Sequence, residues 1–225
     1  MMSEKEALGR LIARHVELYA RSKNRDFHSY YDLDFRNLDK LTEVDIRNFF
    51  RALEVGGIRE CADGYLALAR HGCRLRMFDH GLKGGVKQAA KISVEPILSI
   101  GVVARLVETF GWSANAIGTQ MDKGAFDLSV FENNASIPAV QCEIKVRASE
   151  VNAMAAYFIS VMNTGTALED RRTNWNRKLV SLKAQPPKLL WLLAPGEFER
   201  LFRVEAHGTA FTIFEAPIEQ LRSAD

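Results

Sequence analysis

Two runs with strand character in the stretch Gly124 to Arg147, GAFDLSVFENNASIPAVQCEIKVR, carry charges among apolar residues. Asp127 lies in the first run, and Glu143 and Lys145, spaced E-x-K, lie in the second. A charge on a core strand costs several kcal/mol if buried without a partner, so its presence calls for a reason. Side chains alternate faces along a strand. Gln141, Glu143 and Lys145 therefore point one way, and Val140, Cys142, Ile144 and Val146 point the other. On the first run Asp127 shares a face with Ser129, while Phe126, Leu128 and Val130 take the opposite face. The polar stretch Glu132 to Ser136 predicts a turn between antiparallel strands, which brings Asp127 to the level of Glu143. Alternating polar residues also describe the solvated face of an ordinary hairpin, and spacing alone does not separate the two readings.

If the groups converge, their chemistry is defined. Two nearby carboxylates repel, and a hard divalent cation relieves the repulsion; Mg²⁺ takes one or two carboxylates together with waters and phosphate oxygens. Such an ion lowers the pKa of a bound water and stabilises charge on a phosphodiester. A lysine beside it orients the water or neutralises developing charge. Glu95, in the first turn of a preceding helix, is a further candidate ligand, although an acid there also suits the helix macrodipole without any function.

The elements that must position these groups are legible in outline. Ser3 and Glu6 form a capping-box start for a first helix whose apolar face is Leu8, Leu11, Ile12 and Val16. A short helix is expected over Asp34 to Lys40. Thr42 caps the next, with Val44, Ile46, Phe49, Phe50 and Leu53 on its apolar side and Gly56-Gly57 as its stop. GGIRECADGYLALARHG then reads as strand, tight Ala-Asp-Gly turn and strand. HGLKGGVKQAAK, His80 to Lys91, has the glycines and lysines of an exposed basic loop or linker. Ser93 caps a helix with Pro96 in its first turn and Ile97, Ile100, Val103, Leu106 and Val107 as its buried stripe. After the two charged strands come a helix from Ser149 to about Met162 and another from Ala167 to Ala184. KLLWLLAP is an apolar strand of the kind buried on both faces, and LFRVEA and AFTIFEA are the last strands. The order predicts an α/β protein, a mixed sheet flanked by helices and preceded by a mainly helical segment.

Two resemblances follow from these residues. FFRALEVGGIRECADGYLALARHG looks like the recognition helix and wing of a winged helix-turn-helix, over about Leu38 to Gly72. Asp127 followed by Glu143-Ile144-Lys145, with a glutamate-bearing helix before and a helix after, resembles the PD-(D/E)xK nuclease superfamily and its restriction-endonuclease-like core, over about Ile92 to Ala216. Phe126 stands where that family often has proline, and the helix after Lys145 lacks the Gln-x-x-x-Tyr signature of its exonuclease branches. The second resemblance implies that Asp127 and Glu143 bind Mg²⁺ or Mn²⁺, with the Ile144 carbonyl as a further ligand, that Lys145 assists the attacking water, and that Glu95 completes the site. Together they imply a winged-helix-like DNA- or partner-binding domain over residues 1–80, a basic linker over 81–91 and a nuclease-like domain over 92–225.

The functional expectation is a Mg²⁺-dependent DNA endonuclease of restriction, phage defence or repair, acting on double-stranded DNA and plausible as a homodimer. The alternative is a DNA-binding regulator or assembly subunit whose nuclease-like domain does not cut. Candidate phosphate contacts are Arg47 and Arg51 on the expected recognition helix, Lys83, Lys87 and Lys91 in the basic loop, and Arg171, Arg172, Arg177 and Lys178 near the last helix. A net charge of +2 over 225 residues makes any basic patch local. Cys61, Cys73 and Cys142 are far apart and lack a C-x-x-C, which favours free thiols over a zinc site. No apolar run approaches the ~20 residues that cross a bilayer, and the N-terminus lacks a signal-peptide pattern. The expected location is cytoplasmic.

Overall fold

Side-chain caps set where the first helices begin. In α1 (Glu4–Ser22) the Ser3 hydroxyl accepts from the Glu6 amide while the Glu6 carboxylate accepts from the Ser3 amide. Two otherwise orphaned amides are satisfied in this way. The computed structural model describes residues 2–23, 33–68, 70, 74–79, 90–119, 126–132, 135–164, 174–207 and 210–223. A short strand β1 (Leu33–Asp34) leads into a 3-10 turn, Phe35–Lys40, capped by Asp34. Helix α2 (Glu43–Glu54) opens on a second capping box, Thr42 with Asp45. It ends at Gly56 and Gly57, whose φ of 83° and 79° lie in the left-handed region that glycine enters without strain.

Strands β2 (Ile58–Glu60), β3 (Leu66–Leu68) and β4 (Arg74–Leu75) form an antiparallel sheet in the order β2-β3-β4. The β2–β3 turn presses on α1: a Cβ on Gly64 would stand 2.0 Å from the His15 carbonyl oxygen, so only glycine fits. Strands β5 (Phe78–Asp79) and β6 (Ala90–Ile92) complete a second small sheet with β1, in which β6 is central. Ala90 and Lys91, expected at the end of a linker, are thus strand residues; residues 81–89 lie outside the described set.

Helix α3 (Val94–Ala104) begins at Ser93, whose side chain makes no capping bond, contrary to expectation. A π-helical turn, Arg105–Thr109, continues it. The chain then lays down β7 (Ile117–Thr119), β8 (Leu128–Val130), β9 (Val140–Ile144), helix α4 (Ala148–Thr164), helix α5 (Asn174–Ala184), β10 (Leu189–Ala194), β11 (Phe198–His207) and β12 (Ala210–Ala216). Helix α5 was expected from Ala167; residues 165–173 lie outside the described set. The six strands form one mixed sheet in the order β12-β11-β10-β9-β8-β7, parallel at β9–β10 and antiparallel elsewhere.

Helices cover both faces of this sheet. Val140, Cys142, Ile144, Trp191 and Leu193 join one core with α1, α2 and α3 that runs from Leu8 to Leu221. Leu190, Leu192, Ala194 and Phe202 join a second with Val151, Met154 and Phe158 of α4 and Leu179 and Leu182 of α5. Helix α2 lies close along α3, where a Cβ on Gly101 would come within 3.3 Å of Asn48 Cβ. Asp45 closes the junction: both its carboxylate oxygens accept from the Gly196 amide at 3.1 Å, in the β10–β11 turn. The protein is of the α/β class. No described helix is long and apolar enough to cross a membrane.

His15 of α1 is fully buried, and among the described residues neither ring nitrogen has a hydrogen-bond partner. Its Nε2 stands 3.8 Å from Glu60, beyond hydrogen-bond reach. Burial lowers its proton affinity below that of a free imidazole, against the pull of Glu60. The unfolded chain therefore takes a proton below about pH 6.5 that the folded chain resists, and stability falls as pH drops through that value. His15→Leu is expected to remove about 1 kcal/mol of the stability loss between pH 6.5 and 5.5. Urea unfolding at the two pH values checks this; an unchanged loss contradicts it.

Candidate active site

The site is built where β8 and β9 leave the sheet. Their register ends with Leu128 opposite Cys142, one step short of Asp127. At that step the chain bends. The Asp127 amide donates to the Cys142 carbonyl at 3.0 Å, and Asp127 Oδ2 accepts from the Ile144 amide at 2.7 Å. A side-chain oxygen thus serves an amide of β9, which fixes the carboxylate at the strand edge. Among the described residues no hydrogen bond reaches Asp127 Oδ1.

Glu143 is 1% exposed, which excludes the solvated-hairpin reading. It points, with Gln141, toward α4 and α5, because the strand neighbours Leu190 and Leu192 face that layer. Its Oε2 accepts from Lys178 Nζ at 2.5 Å, and its Oε1 accepts from Lys145 Nζ. Burial raises the Glu143 pKa and the charge of Asp127 raises it further; Lys178 and Lys145 oppose them, leaving it pushed up to about 7. Burial lowers that of Lys145, but Glu143, Asp127 and Glu95 together outweigh it, and the ammonium is held more firmly than usual. Glu95, in the first turn of α3, is half-buried. Burial and the Asp127 charge, with Glu150 of α4 adding to them, raise its pKa against Lys145 and Lys178.

Asp127, Glu143, Lys145 and Glu95 are therefore one electrostatic unit, assembled from two strand ends and a helix start. One step back, Ser129 donates to Gln141 Oε1 at 2.9 Å, with both side chains buried. The Ile144 side chain is fully buried in the core shared with α3.

Two expectations are corrected. Phe126 does not share a face with Leu128 and Val130: it packs with α4 and α5, and they pack toward α3. The strand starts only at Leu128, and the bend before it breaks the alternation. Lys178 is no phosphate contact at the surface. It is 3% exposed and paired with Glu143. Arg51, on α2, is held by Glu54 at 2.8 Å and by Glu108. Arg47 is exposed on the same helix, as are Lys91 on β6 and Arg177 on α5. Lys83, Lys87, Arg171 and Arg172 lie outside the described residues.

Lys178 is the site residue that sequence reasoning misplaced. Its signal was present: it stands three residues after Trp175 and four before Leu182, on the apolar stripe of α5. A lysine at a core position implies a buried acid elsewhere.

The donors here are hard carboxylate oxygens. Asp127, Glu143 and Glu95 outnumber Lys145 and Lys178, and the charge of Asp127 adds to burial in raising the proton affinity of Glu143 and Glu95. That is the condition a divalent cation relieves. Among the described residues no three carboxylates, imidazoles or thiols converge as a ready-made ligand set; Mg²⁺ requires only one or two carboxylates, with water completing its shell.

The surplus gives a test on stability. Glu143 and Glu95 have folded values above their unfolded ones, so their contribution is present in acid and lost as pH rises from about 4.5 toward 7. Asp127→Asn keeps an oxygen for the Ile144 amide and removes the repelling charge. The variant is expected to be about 1 kcal/mol more stable at pH 8, with the gain shrinking at pH 5. Urea titration at both pH values decides it; a variant less stable at pH 8 contradicts the repulsion.

No protein-family description, curated protein or solved structure matches this chain.

Proposed function

We propose that this chain is a metal-dependent deoxyribonuclease of PD-(D/E)xK type, with a restriction-endonuclease-like core and a winged-helix-like segment that docks on duplex DNA or a partner. The observation that carries this reading is the junction of Asp127 with the end of β9. The Asp127 carboxylate accepts from the Ile144 amide, and Lys145 donates its ammonium to Glu143. The order helix, antiparallel strands, helix, parallel strand supports the core.

Asp127 and Glu143 would hold Mg²⁺ or Mn²⁺, with the Ile144 carbonyl and Glu95 as further donors. When bound, the ion supplies Lewis-acid charge beside the scissile phosphate. The chain's own residues do the rest. Asp127, tied to the Ile144 amide, keeps one carboxylate fixed at the strand edge. Lys145 carries a firmly held proton and steadies negative charge on the phosphodiester or orients the attacking water. Glu95, with its raised proton affinity, is suited to accept the proton that the water gives up. Arg47 is exposed on α2 and available to phosphates. Cutting both strands together would require two copies of the site, and a homodimer supplies them.

One observation favours the second reading, a DNA-binding or assembly subunit that does not cut. Both Glu143 oxygens are taken by ammonium groups, so a cation must displace one of them. Incubation of supercoiled and linear duplex DNA with Mg²⁺ or Mn²⁺ separates the two. The wild type is expected to cut, and Lys145→Ala and Asp127→Ala to lose about 100-fold or more in rate. DNA binding without cleavage by the wild type would move the assignment to the second reading.

A further inference from the structure

Resting on the cation reading above, we propose that the two lysines on Glu143 have different jobs: Lys178 is a positioning residue that permanently anchors Oε2, and Lys145 is the exchangeable partner that gives up Oε1 to an incoming divalent cation.

Their surroundings divide them. The Lys178 side chain is 4% exposed, against 14% for Lys145. Lys178 rides on α5 beside Leu179 and Leu182, which are locked in the second core. Its ammonium also stands 5.1 Å from the centroid of the Phe126 ring, which lines its approach. The preceding turn of α5 is fastened to α4, where Tyr157 donates to Asn176 and its ring packs on Trp175 at 5.4 Å. Moving Lys178 off Glu143 means moving a packed helix or leaving an ammonium buried without its carboxylate. Lys145 is one residue past the end of β9, held to β10 by its own amide donating to the Leu193 carbonyl at 2.8 Å. Its side chain can swing outward on its four-carbon stem while the backbone stays in place.

The asymmetry decides how Glu143 meets a cation. With Oε2 kept by Lys178, the carboxylate presents one oxygen, and it presents it on the side of Lys145. The ammonium released from Oε1 is then available beside the cation, where a phosphate would lie.

Lysine side-chain NMR on the full chain tests this, with the two signals assigned through Lys145→Arg and Lys178→Arg. Addition of Mg²⁺ is expected to shift the Lys145 signal and leave that of Lys178 in place. A shift at Lys178, or at both, overturns the division of roles alone. A titration that moves no lysine signal overturns it together with the cation reading. In the metal-free protein, Lys178→Met is expected to lower the urea midpoint, and Lys178→Met with Glu143→Leu to recover more than about half of that loss. Additive losses in the double variant overturn the anchor.

Discussion

Everything at the strand edge depends on keeping Glu143 ionisable inside the protein. A buried carboxylate is tolerated only with its oxygens satisfied. Here one ammonium arrives from its own strand and another from a helix 35 residues later. The sheet topology makes this possible. Because β9 and β10 are parallel, the chain must cross from one to the other, and α4 and α5 form the described parts of that crossover. The crossover roofs the face that Glu143 points into and delivers Lys178 to it.

The opposite face is built by different means. Helix α3 brings Glu95 toward the edge from the other core, and the segment before it is welded to the sheet by Asp45. That side chain caps α2 and also accepts from Gly196, so one carboxylate serves helix start and sheet turn at once. The N-terminal half thus shares the core that backs β9.

Much of this was written in local sequence. Ser3 with Glu6 and Thr42 with Asp45 are caps made within four residues, and their bonds form as the types demand. That Asp127 meets the end of β9 follows from two strands joined by one polar turn. Other features were set by distant partners and could not be read that way. Phe126 turns toward α5 because Lys178 and the second core receive it. Glu143 is dry because α4 and α5 roof it, not because of its neighbours in sequence. Ser93 has the residue type of a cap and makes no such bond. Lys178 looked like part of a charged helix because its carboxylate lies on a different element.

The parallel pairing of β9 with β10 also orders events in time. The β8–β9 pair spans few residues and can form early, when Glu143 is still in water. Its second ammonium arrives only after the long crossover has been closed, a slower step for a chain that must first lose the entropy of that loop. The carboxylate is therefore hydrated through the early stages and loses its water as α5 docks. Dehydration of one side chain is tied to the closing of the fold, and a chain that has not docked α5 has not yet made the site.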